Sequence, residues 1–171
     1  MPPSFVFQNI LQKFPNGPAS SVDAGFESGL PIRGCYSLII SLKRAKTIRV
    51  GKLGETVFPA GTYVYTGSAM KGLGARLKRH CTKTKKIYWH IDYLLALRSA
   101  RVREIILYSA TPGQECRKNK RIAACPGAAI ILKNFGASDC RSGCGSHLLY
   151  FAKDFMLKFS GHHSVHPYAP P

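Results

Sequence analysis

Apolar positions along this chain change period where the secondary structure should change. Residues Tyr36–Leu42 form an apolar, β-branched run that predicts a buried strand. A basic turn at Lys43–Lys46 separates it from a second strand at Thr47–Val50, and Pro59 and Gly61 mark the turn before a third at Gly61–Thr66. After Gly72 the pattern turns helical. At about 100° per residue, Leu73, Leu77 and Cys81 share one stripe predicted to face the sheet. Arg76, His80 and Lys83 border that stripe, while Lys78, Arg79 and Thr82 fall on the solvent side. Trp89–Leu97 predicts a second helix, Glu104–Tyr108 a strand, Gln114–Ala124 a helix and His147–Phe151 a closing strand. The first three strands are too closely spaced for parallel crossovers, so an antiparallel meander is expected. The fold class is therefore α+β, a small, mainly antiparallel central sheet flanked by helices.

Gly, Pro, Ser and Asp crowd Pro15–Pro31, which predicts a domain boundary. Residues 1–31 read as a flexible extension with at most a short helix near Phe7–Phe14, residues 32–160 as one domain, and 161–171 as a flexible tail with disordered histidines at 162, 163 and 166. Met1–Phe14 has neither a charged start nor a long apolar run, so no signal peptide, membrane span or membrane association is expected. Six cysteines scatter among helix and strand patterns in a chain with 45% hydrophobic residues. That argues for buried thiols in a reducing cytoplasm rather than a disulfide scaffold.

Charge changes the picture most. The net charge is +17, and only four acids (Glu55, Asp92, Glu104, Glu115) face twenty Lys or Arg between Arg33 and Arg121. Such a surplus on one domain is self-repulsive and suits a polyanionic partner, above all nucleic acid. Lys71, just before Gly72, and Arg79, Lys83, Lys85 and Lys86, on and after the helix that follows it, are the candidate phosphate contacts.

Tyr65-Thr66-Gly67-Ser68-Ala69 ends a strand in a tyrosine and a glycine turn, and the following helix carries Arg76 and His80 four apart. A phenol, a guanidinium and an imidazole thus gather around one phosphate-sized spot. Gly34-Cys35-Tyr36 with Tyr65-Thr66-Gly67, then Arg76 and His80, resembles the GIY-YIG endonuclease superfamily. Trp89-His90-Ile91-Asp92-Tyr93-Leu94-Leu95 and the end of the chain, Phe135–Cys140 with Cys144 and Ser146-His147-Leu148, are similar to a poorly characterised prokaryotic branch of it.

The resemblance implies divalent-metal-dependent phosphodiester hydrolysis, with DNA of particular structure as substrate and a repair protein as a possible partner. Tyr65 would act as general base, acidified by cationic neighbours, or would orient the attacking water. Arg76 would stabilise charge on the phosphoryl oxygens. His80 would contact phosphate or the leaving group, and Tyr36 would support Tyr65. Glu115 would hold Mg²⁺ or Mn²⁺, with Glu104 as the fallback ligand. Gly34, Gly67, Ser68, Asp139 and His147 would form the rim, with Asp139 capping backbone amides. The alternative is a basic nucleic-acid-binding module without efficient cleavage. Asp139, Cys140, Cys144 and His147, with Cys116 or Cys125 added, could hold Zn²⁺. However, no clean Cys-x-x-Cys pair is present, and structural zinc is not expected.

Overall fold

The computed structural model describes residues 32–152 and the backbone of residues 163–165. The extension over residues 1–31, with its helix near Phe7–Phe14, lies outside the described residues, as do His162 and His166.

The long apolar run becomes β1 (Gly34–Leu42), buried almost throughout because it is the central strand of the sheet. It pairs antiparallel with β4 (Gly61–Ala69) on one side and β5 (Ala100–Tyr108) on the other. Between β1 and β4, the strands β2 (Lys46–Arg49) and β3 (Glu55–Phe58) form their own two-stranded ribbon. The expected meander therefore does not form. The β2 strand has one buried residue, Ile48, and could not fill a position covered on both faces, whereas β5 supplies Ile105 and Ile106.

The sheet is completed by β6 (Leu148–Phe151) beside β4 and β7 (His163–Val165) beside β5. Its order is β6-β4-β1-β5-β7, and every pairing is antiparallel. The last strand corrects the expectation of a loose tail that includes His163, since backbone 163–165 pairs with Ile105–Leu107.

Among the described residues three helices cover the sheet: α1 (Leu73–Cys81), α2 (His90–Leu95) and α3 (Gln114–Ala123). The period-two pattern of β1 divides two cores. Tyr36, Leu38 and Ile40 pack with Leu73 and Leu77 of α1 and with Ile91, Leu94 and Leu95 of α2. Cys35 and Ile39 face the opposite side and pack with Ile122 of α3. The fold is α+β with a central antiparallel sheet and flanking helices, as the pattern predicts. Cys81, placed by phasing on the buried stripe, is exposed as the last residue of α1. Only Cys35 and Cys144 are buried among the six thiols, so the expectation of mostly buried cysteines is also corrected. No helix among the described residues is long and apolar enough to cross a membrane.

This topology gathers several termini at one end of the sheet. There β1 begins, β4 and β5 end, β6 begins, and the chain enters α1 and α3.

Candidate active site

Tyr36 faces Gly67 across the β1–β4 pair. A Cβ at position 67 would lie 2.7 Å from the Tyr36 hydroxyl, so only glycine lets the phenol cross the neighbouring strand. The hydroxyl of the buried Tyr36 shares a 2.7 Å hydrogen bond with His80 Nε2. The His80 ring also meets Tyr65 edge-on, with centroids 6.2 Å apart, and Phe135 packs against the same phenol at 6.5 Å. Gly136, at φ 66, closes that wall: a Cβ there would lie 2.8 Å from Tyr65 Cε2.

Ser68 joins the two sides of the sheet. Its hydroxyl donates to Glu115 Oε2, and its carbonyl accepts from Arg76 Nη1 at 2.8 Å. An arginine from α1 and a glutamate from α3 thus meet at the end of β4. The other carboxylate oxygen, Glu115 Oε1, lies 2.8 Å from His147 Nδ1. His147 is fixed by its backbone, which accepts from the Thr66 amide (3.0 Å) and donates to the Phe135 carbonyl (2.8 Å). Asn119 Nδ2 donates to the Ser146 carbonyl at 2.8 Å and ties this loop to α3.

Trp89 is a site residue that the sequence reading did not single out. The Arg76 guanidinium lies 4.6 Å from its ring centroid and that of Arg79 lies 5.0 Å away. The chain's one tryptophan, directly after a run of basic residues, was the available signal. Arg79 donates to Asp92 Oδ2 at 2.7 Å, and the buried Asp92 carboxylate also accepts the amides of Tyr88 and Trp89. Burial would raise the Asp92 carboxyl, but the Trp89 amide and Arg79 hold it below its ordinary value.

Burial dominates the remaining titrations. It pushes the Tyr65 phenol well above its ordinary value, the Glu115 charge adds to that, and Arg76 offsets only part. The expectation of an acidified Tyr65 is corrected: a desolvated phenol beside a carboxylate resists ionisation more than cations favour it. Tyr36 is raised by burial and by Tyr65. His80 is lowered to about 3 by burial and then by Lys85, so the imidazole is neutral. Its expected contact with phosphate or leaving group is corrected as well, because the ring is only 2% exposed and spends Nε2 on Tyr36. Glu115 is opposed by burial, yet the adjacent His147 and the hydrogen bond from Ser68 hold it below its ordinary value. Burial lowers His147, but Glu115 outweighs it and raises the imidazole to about 9.

Glu104, the fallback ligand, pairs with Ile39 in mid-sheet. That lies four residues along β1 from the Cys35–Ser68 pair, about 13 Å away at strand spacing, and removes it from the site. Asp139 is exposed, and among the described hydrogen bonds its carboxylate caps no backbone amide. Gly34 stands at the start of β1, where a Cβ would lie 3.0 Å from the Tyr108 carbonyl oxygen.

The basic contacts divide in two. Lys71 and Lys86 are exposed, and Arg79 is partly exposed. Lys83 Nζ instead donates to the carbonyls of Leu95, Leu97 and Ala100, closing the C-terminal end of α2. Lys85 Nζ donates to the Arg79 carbonyl at 2.7 Å and lies 3.4 Å from Asp92 Oδ1, with its side chain 4% exposed. Both ammonium groups already hold protein acceptors, Lys85 with its side chain buried and Lys83 from an exposed position, which corrects their assignment to nucleic acid.

A carboxylate has about four acceptor positions, and Ser68 and His147 occupy two of those on Glu115. The rest suit a cation such as Mg²⁺, which takes one or two carboxylates and keeps most of its waters.

Residues 35–166 match the family described as Domain of unknown function DUF123. The chain belongs to this family. The matched span runs from the start of β1 to the last strand and contains every site residue named above except Gly34. No curated protein and no solved structure matches the chain.

Proposed function

We propose that this member of the DUF123 family is a GIY-YIG-type endonuclease that hydrolyses DNA phosphodiesters with a divalent metal. The observation that carries the reading is the meeting of Arg76 and Glu115 on one residue, Ser68, at the sheet end that also holds Tyr36, Tyr65 and His80. A fixed guanidinium and an ionised carboxylate joined through one residue provide an anion site and a cation site side by side. That pairing suits a phosphodiester with its counter-ion.

Arg76, held by the Ser68 carbonyl and backed by Trp89, binds the scissile phosphate and stabilises the charge that develops on its oxygens. Tyr65 keeps its proton and orients the attacking water rather than deprotonating it. Neutral His80 fixes the tyrosine pair by bonding Tyr36 and packing against Tyr65. Glu115 would hold Mg²⁺ or Mn²⁺, which when bound supplies Lewis-acid polarisation of the phosphate and an activated water. The exposed Lys71, Lys86 and Tyr88 would supply further phosphate and stacking contacts to a nucleic-acid strand.

The test is incubation of the full chain with labelled single-stranded, duplex, nicked and branched DNA, with Mg²⁺, Mn²⁺ or chelator. Metal-dependent cleavage of at least one substrate, lost in Glu115→Gln while binding persists, is the expected result. Salt-sensitive binding with no cleavage in either metal would instead identify a nucleic-acid-binding module. Neither binding nor cleavage at low salt would overturn both readings.

A further inference from the structure

The proposed hydrolysis leaves one cluster of chemically competent side chains unused. We propose that Cys116, Cys140, Cys144 and His147 form a tetrahedral zinc site, separate from the hydrolytic metal, whose histidine also fixes the orientation of Glu115. The inference goes beyond the nuclease reading and does not depend on it.

The ligand atoms of these four residues all lie within 4.8 Å of one another. Zinc–sulfur bonds near 2.3 Å at tetrahedral angles place two thiolates about 3.8 Å apart. Cys116 and Cys140 Sγ are separated by 3.7 Å. A disulfide would need about 2 Å, and all six thiols are free. Three thiolates and one imidazole form a soft, closed, all-protein set, which selects zinc over magnesium and leaves no open position for substrate.

The histidine is prepared for this role. Its Nδ1 lies 2.8 Å from Glu115 Oε1 as an ion pair, and both ring nitrogens are buried without a hydrogen bond of acceptable geometry to any described residue. A carboxylate on one imidazole nitrogen and a metal on the other is the usual way a zinc-bound histidine is oriented. The ligands also come from two separate segments. Cys116 sits in the first turn of α3, and Cys140, Cys144 and His147 belong to the loop that enters β6. That loop carries Phe135 and Gly136, the wall behind Tyr65. Zinc would clamp the loop to α3 and hold both Glu115 and Tyr65 in register. Binding releases the thiol protons and any proton on the imidazole to solvent, leaving a local charge of −1 beside the basic surface.

The test uses the full chain, purified without a metal-affinity tag. Elemental analysis is expected to find one zinc per chain. After chelator stripping, titration with Co²⁺ should give the intense visible bands of a tetrahedral site and a thiolate-to-cobalt charge-transfer band. Cys140→Ser and Cys144→Ser should lose those bands, whereas Cys81→Ser and Cys125→Ser should keep them. Glu115→Gln should retain the bands but bind zinc about 10–100-fold more weakly in chelator competition. Substoichiometric zinc with only weak octahedral Co²⁺ bands would overturn the proposal. So would wild-type bands in Cys140→Ser, or a Cys116–Cys140 disulfide in the freshly isolated protein. If the cysteine variants do not fold, the stoichiometry and Co²⁺ spectrum of the wild-type chain decide the matter.

Discussion

Single residues set the site through close approach and desolvation. Gly67 has no spare volume opposite Tyr36, so Gly67→Ala must displace the phenol or the strand. Urea denaturation should show a loss of about 1–3 kcal/mol, the usual range for overpacking a tight core; an unchanged midpoint would contradict the packing. His80 makes a pH prediction. Its folded value of about 3 lies far below the ordinary 6.5, because burial and the cations Lys85, Arg76 and Arg79 outweigh Asp92. Between those values the unfolded chain binds a proton that the fold refuses. Stability should therefore be unaffected by this group above pH 6.5 and fall as pH drops, by about 1.4 kcal/mol per unit. Comparing the pH slope of urea midpoints in wild type and His80→Gln isolates the effect, and equal slopes would contradict it. That Tyr36, Tyr65, Arg76 and Glu115 gather at one end of the sheet was legible, the first three from order and spacing and Glu115 from the family resemblance. Their protonation was not, since a pKa depends on how much water remains and no sequence pattern records that.

At the scale of elements, helix phasing and strand runs located nearly every segment, because apolar period survives as long as one face is buried. What failed was partnership. The β2 strand was read as a neighbour of β1, yet it pairs with β3 outside the main sheet, and β5 takes the place beside β1. The basic loop after α1 shows the same limit. Charge alone made Lys83 and Lys85 look like phosphate contacts, but carbonyls at the end of α2 and the buried Asp92 claim them. Lys83→Met should thus destabilise the fold by about 0.5–1.5 kcal/mol, the net worth of a hydrogen bond whose acceptors water can reach. It should leave the salt dependence of DNA binding unchanged. Lys71→Ala and Lys86→Ala should each reduce the slope of log affinity against log salt by about 1 without affecting stability. A slope change in Lys83→Met equal to theirs would contradict the division.

For the whole molecule, the topology explains why distant segments make one site. Antiparallel pairing brings the start of β1 and the end of β4 together, and α1 and α3, on opposite faces, both begin at that edge. Ser68 then binds Arg76 from one side and Glu115 from the other, and His147 connects Glu115 to the cysteine cluster. The net charge of +17 would favour a polyanionic partner, while its sign says nothing about chemistry. The proposed hydrolysis rests on Arg76 acting in the transition state. Single-turnover cleavage of a branched DNA duplex in saturating Mg²⁺, by wild type and Arg76→Ala, measures this directly. The account predicts a fall of about 10²–10³-fold in the cleavage rate with DNA affinity reduced far less. Equal rates in the two proteins, or a loss confined to affinity, would contradict it.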